Sequence, residues 1–284
     1  MPLTNWSAKV DGLVGQLLNQ RYEILTVLGT GGMGIVAQAY DRYLDRAVAL
    51  KLIRPEYAIN DGFVQMFVRE ARTLAKLDHP NILPVYDLGM TDTEVYMVTP
   101  LAPHGTLADR FQNGPMTFYE SERILREVCD AIDYAHRNGV IHLDIKPDNI
   151  LFDRNDRPLV ADFGLSKILQ SGLYVEVEPQ VGTIDYMAPE QIFGDPAGSY
   201  SDVYALGLTL YEMLMGQLPH REPNGIVIFD YVLPLSIMAV IEKATHFDPT
   251  QRYQTAHQFS QAYTEAWLYE QTVGDFSIGG HRAH

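Results

Sequence analysis

The pattern of apolar residues changes at a break in residues 100–105, and this change constrains the fold of the chain most strongly. Residues 22–99 favour β-strands with one helix, whereas residues 107–269 favour long helices. The break contains two prolines and a glycine, which are typical of a loop. The sequence therefore predicts an α+β protein made of two parts that are joined by a hinge.

The composition is that of a globular protein. The chain has 284 residues, of which 46% are apolar and 20% charged, which suits one large domain or two coupled lobes. The net charge of -15 argues against a nucleic-acid binder, because such proteins usually carry a basic patch, and against docking to an anionic membrane. The single cysteine, Cys129, excludes an internal disulfide and fits a reducing compartment. Its helical surroundings predict a packed hydrophobe, not a nucleophile.

The ends of the chain and its most apolar window show no targeting or membrane signal. Residues 1–10 lack the apolar core of a signal peptide, and the window 225–241 is interrupted by Asp230 and Pro234 and is too short to span a bilayer. We therefore expect a soluble, cytoplasmic protein with no membrane segment in this chain. Residues 1–20 are interpreted as a leader and residues 271–284 as a flexible tail.

Three glycines in the first part, Gly29, Gly31 and Gly34, fit the pattern G-x-G-x-x-G-x-V. Strand patterns on both sides place them at the tip of a hairpin, whereas a dinucleotide-binding fingerprint opens a helix and a P-loop continues into Lys-Ser/Thr. Because glycine has no Cβ, the backbone at such a tip can approach phosphate oxygens closely. Taken alone, the pattern is equally compatible with an ordinary glycine turn.

A lysine and a glutamate are the next candidates. Strand alternation places Ala49 and Lys51 on one face, where a small residue would admit a flat base and the lysine would reach phosphates. In residues 61–77, Glu70 lies at the centre of an apolar stripe with helical spacing. The stripe consists of Phe63, Met66, Phe67, Leu74 and Leu77. An inward carboxylate requires a partner, and Lys51 is the natural one; the alternative is that both side chains face solvent.

The most informative stretch covers residues 140–151, where polar side chains stand at fixed spacing between two apolar runs. It contains Asp144, Lys146 and Asn149, and Asp162 follows Asp144 by eighteen positions. Carboxylate and amide oxygens are the ligands that Mg²⁺ favours. The stretch is therefore predicted to be a loop held by core residues, with a magnesium site nearby.

In this order, the motifs resemble the signature set of protein kinases, and the resemblance covers about residues 21–268. Two further motifs, Asp162-Phe163-Gly164 and Ala188-Pro189-Glu190, complete the set. The chain is most similar to the eukaryotic-like serine/threonine protein kinases of bacteria. The resemblance implies a bilobal kinase fold with ATP in the cleft. A small antiparallel β-sheet lobe plus one helix, residues 21–100, would lie over a larger helical lobe, residues 101–270.

The resemblance also implies a role for each polar candidate. Asp144 would accept or orient the proton of the substrate hydroxyl, and Lys146 would neutralise the transferring phosphoryl group. Lys51, set by Glu70, would hold the α- and β-phosphates of ATP. Two residues would hold Mg²⁺, namely Asn149 and Asp162.

The segment that joins the two lobes would bind adenine. Thr99 would guard the pocket, and Pro100 would offer only its carbonyl, so that its missing N–H is harmless. The amide of Ala102 would donate to the base. The residues that would sandwich the base are Leu28, Val36, Ala49 and Leu151.

The resemblance also implies two structural contacts, and the sequence departs from the kinase pattern at two places, of which the first is Leu143. Asp202 would brace the catalytic loop, and Arg252 would pair with Glu190. Leu143 replaces the arginine that normally reads a phosphorylated activation loop, and residues 173–182 of that loop contain no serine or threonine. We therefore expect activity that does not depend on loop phosphorylation.

The second departure concerns substrate docking. Only a short stretch separates Pro219 from the helix predicted near residues 237–245, where relatives usually carry an extra helix that helps to dock substrates. We therefore expect weak discrimination among short peptides.

The leading function is transfer of the γ-phosphoryl group of Mg-ATP to serine or threonine of a protein substrate. Lys146 two places after Asp144, together with Thr183, matches serine/threonine kinases. A nucleotide-binding pseudokinase scaffold is the alternative from another class, but no catalytic residue is missing. A kinase of small molecules is disfavoured by Thr183 and by residues 188–190, which would shape a peptide groove.

Overall fold

The computed structural model describes residues 12–31, 34–58, 61–91, 94–111, 114–163, 183–222 and 224–273. The chain forms two compact units. The first combines Met1–Thr106 with Asn149–Ile184, and the second combines Leu107–Asp148 with Asp185–His284. The chain therefore leaves the first unit after the strand-rich part, returns to it once, and ends in the second.

A six-stranded antiparallel sheet forms the frame of the first unit. Its order is β1-β2-β3-β4-β6-β5. The strands are β1 (Leu17–Leu18), β2 (Tyr22–Thr30), β3 (Gly34–Asp41), β4 (Arg46–Ile53), β5 (Asp87–Met90) and β6 (Val95–Pro100). Along β4, Val48, Leu50 and Leu52 are buried in the core, whereas Ala49 and Lys51 lie on the opposite face, which confirms the predicted alternation.

One face of the sheet is covered by residues that precede β2. Leu13 and Leu18 are buried with Tyr22 and Ile24 in the core cluster of this face. Residues 12–18, predicted to be part of a leader, thus contribute a strand and two core side chains. Residues 1–11 lie outside the described residues.

The other face of the sheet packs against two helices, α1 (Pro55–Ala58) and α2 (Asp61–Leu74). Phe63 and Phe67 of α2 are buried in one cluster with Met97 of β6. The helix ends three residues before the predicted Leu77, which is itself buried in the following turn. Because Lys51 pairs with Met97 across the sheet, α2 packs on the face that carries Lys51.

A hairpin connects β2 and β3, as predicted from the glycine pattern. The Gly31 amide donates to the Gly34 carbonyl at 2.8 Å. Gly34 lies opposite Ile53 of β4, and a Cβ added there would meet the Leu52 carbonyl oxygen at 1.9 Å. The close approach of two strands therefore requires glycine at this position. Gly32 and Met33 lie outside the described residues.

A small hairpin returns the chain to the first unit. It consists of β7 (Ile150–Phe152) and β8 (Pro158–Val160). Val160 forms a bridge with Ile82, and the Asn81 side chain donates to the Pro158 carbonyl at 2.9 Å. These contacts attach residues 149–163 to the strand-rich part of the chain.

The second unit consists mainly of helices. They are α3 (Leu107–Phe111), α4 (Phe118–Arg137), α6 (Pro189–Phe193), α7 (Ser199–Met215), α8 (Leu235–Ala244) and α9 (Ala256–Val273), while α5 (Thr183–Tyr186) lies where the chain re-enters this unit. Most side chains of α7 are buried, so it is the central helix. The Thr117 hydroxyl caps α4 by accepting from the Glu120 amide at 3.2 Å.

Cys129 lies on the buried face of α4. Burial raises the pKa of the Cys129 thiol well above its ordinary value, and the carboxylates of Asp133 and Asp130 raise it further. Because the thiolate is the reactive form, this cysteine is a packed hydrophobe, as predicted.

A two-stranded hairpin, β9 (His220–Arg221) and β10 (Val227–Ile228), lies between α7 and α8. Apart from residue 223, the structure describes the whole of this connection, and none of its described residues is helical. The predicted lack of an extra helix in this region therefore holds for the described residues.

A buried ion pair joins α6 to the segment before α9. Arg252 Nη1 and Nη2 donate to Glu190 Oε1 and Oε2 at 2.7 and 2.8 Å, and the Ser201 hydroxyl donates to Oε1 at 2.7 Å. Burial acts to raise the pKa of Glu190, but the bonds from Arg252 and Ser201 outweigh it and hold the pKa below its ordinary value. This geometry confirms the predicted Arg252–Glu190 contact.

We expect Arg252→Met to lower the free energy of unfolding by about 3–5 kcal/mol, because it leaves the Glu190 carboxylate buried without its cation. Arg126→Met is the matched control, since Arg126 pairs with Glu122 on the exposed side of α4, and its loss is expected to be about 0.3–0.5 kcal/mol. Urea unfolding measures both variants. Equal losses in the two variants would contradict the prediction.

We expect Gly34→Ala to destabilise the first unit by about 1–3 kcal/mol, because the new methyl group overlaps a backbone oxygen that moves only with its strand. At Gly29 an added Cβ meets nothing within 4 Å. Gly29→Ala is therefore expected to change the free energy of unfolding by less than about 0.5 kcal/mol. Thermal unfolding without nucleotide compares the two, and a Gly34→Ala variant as stable as Gly29→Ala would refute the clash.

Candidate active site

Lys51 and Asp162 form an ion pair in the first unit. Lys51 Nζ lies 2.7 Å from Asp162 Oδ1, although the two residues are far apart in the sequence. Lys51 projects from β4, and Asp162 follows β8. The structure thus brings together the lysine predicted to hold phosphates and a carboxylate predicted to hold Mg²⁺.

Glu70, the predicted partner of Lys51, lies on α2. Its side chain is outside what the structure describes. The helix packs on the face of the sheet that carries Lys51, as a Lys51–Glu70 pair requires. Because the Glu70 side chain is not described, the pair itself stays a prediction.

Asn149 and Asp162 are linked through the backbone. The Ala161 amide donates to the Asn149 carbonyl at 2.8 Å, which fixes Asn149 beside the residue that precedes Asp162. Asp162 itself has a φ of 59°, in the left-handed region that few non-glycine residues adopt. Phe163 is buried and anchors this turn. Gly164, the last residue of the predicted motif, lies outside the described residues.

The side-chain oxygen atoms of Asn149 and Asp162 are of the kind that binds Mg²⁺. Within the described ranges, no group of three or more His, Cys, Asp or Glu residues could hold a metal ion. Mg²⁺ usually binds through one or two carboxylates together with phosphates and water, not through an all-protein cage. The carboxylate of Asp162 and the amide of Asn149, tied together by the backbone, match that donor set.

The predicted base-binding residues occupy the first unit. Gly29, Val36 and Lys51 form one row across three strands, and Ala49 lies next on the same face of β4. Leu28 is 52% exposed on β2, unlike the core residues of the sheet. An exposed leucine beside this row is consistent with a surface that a flat apolar ring would cover.

The remaining base-binding candidates follow the sheet in the chain. Thr99 is buried, and Pro100 is the last residue of β6, where it lies opposite Val48. Ala102 is half-buried in the segment that follows β6. Leu151 forms a bridge with Thr106, so β7 is joined to the end of the same segment.

One contact of the glycine hairpin was not predicted from the sequence. Arg54 directly follows β4, and its Nη2 donates to the Gly31 carbonyl at 2.9 Å. Together with the Gly31–Gly34 bond, this contact fixes the backbone at Gly31. The position of Arg54 directly after β4, the strand that carries Lys51, was the only hint of this contact in the sequence. A hydrogen bond from a side chain to a backbone carbonyl leaves no periodic pattern that could predict it.

Asp144 and Lys146 lie together in the second unit. Lys146 Nζ is 3.4 Å from Asp144 Oδ2, and Lys146 is only 8% exposed. The Asp144 amide donates to His142 Nδ1 at 3.2 Å, so the buried His142 ring fixes the backbone at the aspartate. A buried ammonium beside a carboxylate that is only partly covered is suited to hydrogen bonding with a hydroxyl and with phosphoryl oxygens.

Asp202 braces the segment from His142 to Asp144, as predicted for the catalytic loop, and we call these residues the catalytic segment. Its carboxylate is fully buried on α7 and accepts from the amides of His142 and Leu143 at 2.9 and 2.7 Å. His136 Nε2 donates to the same carboxylate at 2.7 Å. Three donors satisfy the carboxylate and thereby make its burial tolerable.

Leu143, which replaces the usual arginine, is buried in this segment. It is 6% exposed and adopts a φ of 63°, which is costly for a branched side chain. The Asp202 bond to its amide and a bond of 3.0 Å from Gln191 Nε2 to its carbonyl hold this conformation. Gln191 was not singled out in the sequence.

The segment after the activation loop is only partly described. Thr183 begins α5, but its side chain and residues 164–182 lie outside the described residues. The Tyr186 hydroxyl donates to Glu212 Oε2. Burial raises the pKa of Glu212 above its ordinary value, and the nearby carboxylates of Asp148 and Asp185 add to this effect.

Comparisons with known proteins agree with this arrangement. The family model for the protein kinase domain matches residues 22–266. Serine/threonine-protein kinase PrkC of Bacillus subtilis is 38% identical over 259 residues, which are 86% of this chain and 40% of PrkC. Serine/threonine-protein kinase PknB of Mycobacterium tuberculosis is 37% identical over 260 residues, which are 84% of this chain and 42% of PknB. The chain thus spans about two fifths of the length of these relatives.

The fold is also shared with a solved structure. The crystal structure of the Mycobacterium tuberculosis PknI kinase domain matches with a TM-score of 0.72 and 26% identity, over 89% of this chain and 99% of that chain. In the part of this chain that the structure describes, no helix has the length and apolar character needed to cross a bilayer. The sheet-based unit, the helical unit and the family match over most of the sequence show that the chain belongs to the protein kinase domain family.

Proposed function

We propose that the chain is an active protein kinase that transfers the γ-phosphoryl group of Mg-ATP to serine or threonine of a protein substrate. The observation that carries this proposal is the 2.7 Å contact between Lys51 and Asp162. This contact joins the lysine proposed to bind phosphates to the carboxylate proposed to bind the metal ion, which supports nucleotide binding in the first unit.

The residues of the first unit would bind the nucleotide. Lys51 would hold the α- and β-phosphates, and Asn149 with Asp162 would hold the metal. Mg²⁺, when bound, neutralises charge on the phosphate oxygens. The glycine hairpin would cover the phosphates with its backbone amides, and Arg54 would keep the loop in place.

The residues of the second unit would act on the acceptor. Asp144 would orient the substrate hydroxyl and take its proton, and Lys146 would stabilise the negative charge of the transferring phosphoryl group. The backbone bonds to Asp202 hold this segment fixed, so little reorganisation accompanies the reaction.

Specificity for serine and threonine is proposed from Lys146, two positions after Asp144, and from relatives whose names describe serine/threonine-protein kinases. The pseudokinase alternative has no support in the described residues, because Lys51, Asp144, Asn149 and Asp162 are all present. The cytoplasm, where thiols stay reduced, is the proposed compartment.

We expect Asp144→Asn to lower the turnover number by about 10²–10⁴, the usual contribution of a positioned acid–base group, with ATP binding retained. The measurement is transfer of radiolabel from ATP to a generic protein acceptor, followed by phospho-amino-acid analysis. Asp130→Asn, an exposed change on α4, is the control and should leave turnover unchanged. A wild-type chain that binds ATP without transferring label to any acceptor would establish the scaffold function instead.

We expect the initial rate to be unchanged when all phosphate is removed from the chain. Leu143 is apolar and buried, so it offers no charge-assisted bond to a phosphorylated loop, and residues 173–182 carry no serine or threonine. Rates are compared before and after exhaustive phosphatase treatment, with intact mass as the check on phosphate content. A drop of about tenfold, equivalent to about 1.4 kcal/mol of transition-state stabilisation, would overturn this expectation.

A further inference from the structure

A groove opens beside the hairpin that connects α7 and α8. We call it the hairpin groove and define it by Tyr204, Ile226, Ile228, Tyr231, Glu242 and Phe247, with a volume of about 330 Å³. All these residues belong to the second unit. Ile226 and Ile228 are each 48% exposed and Tyr231 is 66% exposed. A cluster of exposed apolar side chains around a concave surface is typical of an interaction site.

The hairpin that forms this groove is firmly anchored. Arg221 Nη1 donates to the Met187 carbonyl at 2.8 Å, and Arg221 Nη2 donates to the Asp185 carbonyl at 3.0 Å. The Phe229 ring packs at 5.0 Å from the Tyr211 ring. The groove is therefore formed before any partner binds, which reduces the entropy lost on binding.

The charged group in the lining of the groove is a carboxylate. The guanidinium groups of Arg221 and Arg252 lie over the ring of Tyr204, but both are bound to other partners. Glu242 is the one charged residue among the described residues that line it. Glu222 and Asp230 flank the lining residues in the hairpin, and the cation of the same hairpin, Arg221, is engaged with backbone carbonyls. The chain as a whole carries a net charge of -15. An apolar side chain with a neighbouring lysine or arginine is the complementary ligand.

The same charges disfavour a second copy of this chain as the occupant. Two such grooves in contact would bring Glu242 of each copy into one apolar interface, where like charges are costly. A basic protein segment, by contrast, gains both apolar burial and charge pairing.

The position of the groove indicates what such a segment belongs to. Its wall includes Pro189, the first residue of α6, and Arg221 binds the carbonyls of Asp185 and Met187 shortly before that helix. Gln191 of the same helix donates to the Leu143 carbonyl in the catalytic segment. The groove is thus built on elements that also support the catalytic aspartate of the second unit.

We propose that the hairpin groove docks protein substrates through a segment that carries an apolar side chain beside a lysine or arginine. This inference rests on the proposed kinase function and adds the substrate class to it. The substrate would be held by this segment as well as by its acceptor residue, so a protein that carries both would be favoured over a short acceptor peptide.

The test uses myelin basic protein as a basic acceptor and a short serine peptide as an acceptor that cannot reach the groove. Ile228→Asp should raise the KM for the protein acceptor by about tenfold, the effect of losing one well-packed anchor. It should leave kcat, the KM for ATP and the rate with the peptide unchanged. Ile228→Ala serves if the aspartate variant melts at a lower temperature. Leu268→Asp, at an exposed apolar position on α9, is the control.

The charge component is tested separately. Glu242→Gln should raise the KM for the protein acceptor about threefold at low salt, and this difference should disappear at high salt because exposed charges are screened. An equal effect of Leu268→Asp, or unchanged KM values in all groove variants, would overturn the proposal. Conversion of a dimer to a monomer by Ile228→Asp in sedimentation would also overturn it, because the occupant would be a second copy.

Direct binding separates this inference from the proposed function. The affinity for myelin basic protein is measured with a non-hydrolysable ATP analogue, so that no transfer is needed. Weaker binding by the groove variants supports docking even if the wild-type chain shows no transfer, in which case the kinase proposal alone fails. Equal binding by wild type and variants overturns the docking proposal, whatever the transfer assay shows.

Discussion

The buried carboxylate of Asp202 is the constraint on which the catalytic segment depends. It lies on the central helix α7 and accepts hydrogen bonds from two consecutive backbone amides and from His136. A loop between apolar runs would otherwise have several backbone conformations available, each close in free energy. By binding both amides, one side chain selects the conformation in which Leu143 is left-handed and Asp144 stands beside Lys146. The helix fixes the position of the Asp202 carboxylate, and the carboxylate in turn fixes a segment that has little regular structure of its own.

A second buried carboxylate, that of Glu190, holds α6 in a comparable way. Arg252 and Ser201 satisfy it, and Ser201 and Asp202 are neighbours on α7. The first turn of the central helix thus anchors both the catalytic segment and α6. Each carboxylate is stable in the interior because every oxygen has donors, and each would be strongly destabilising if its donors were removed. Specificity of conformation is obtained at positions that do no chemistry themselves.

The sequence indicated the polar residues that the structure brings together better than it indicated the contacts that hold them. Strand alternation placed Ala49 and Lys51 correctly because the period of a strand leaves little choice of face. Asp202 and the Arg252–Glu190 pair followed from the family resemblance. The Arg54–Gly31 bond and the Gln191–Leu143 bond escaped prediction, because side chain-to-backbone contacts have no sequence period. Residues 12–18 escaped because Leu13 and Leu18 are too few to form a recognisable strand pattern, although both are buried. The hairpin of β9 and β10 was likewise too short for any periodicity to indicate.

The two lysine–aspartate pairs fit the proposed binding of an anionic ligand by an acidic protein. Lys51 lies 2.7 Å from Asp162 in the first unit, and Lys146 lies 3.4 Å from Asp144 in the second. Both lysines are largely buried, and an ammonium in such a place needs a nearby negative charge. With a net charge of -15, the chain would repel a nucleotide over most of its surface, so the proposed nucleotide binding needs local cations that are kept in place. A carboxylate beside each lysine meets both needs, because it neutralises the cation before a ligand binds. In the proposed reaction, Asp162 would then bind the metal ion and Asp144 would accept the proton of the substrate hydroxyl.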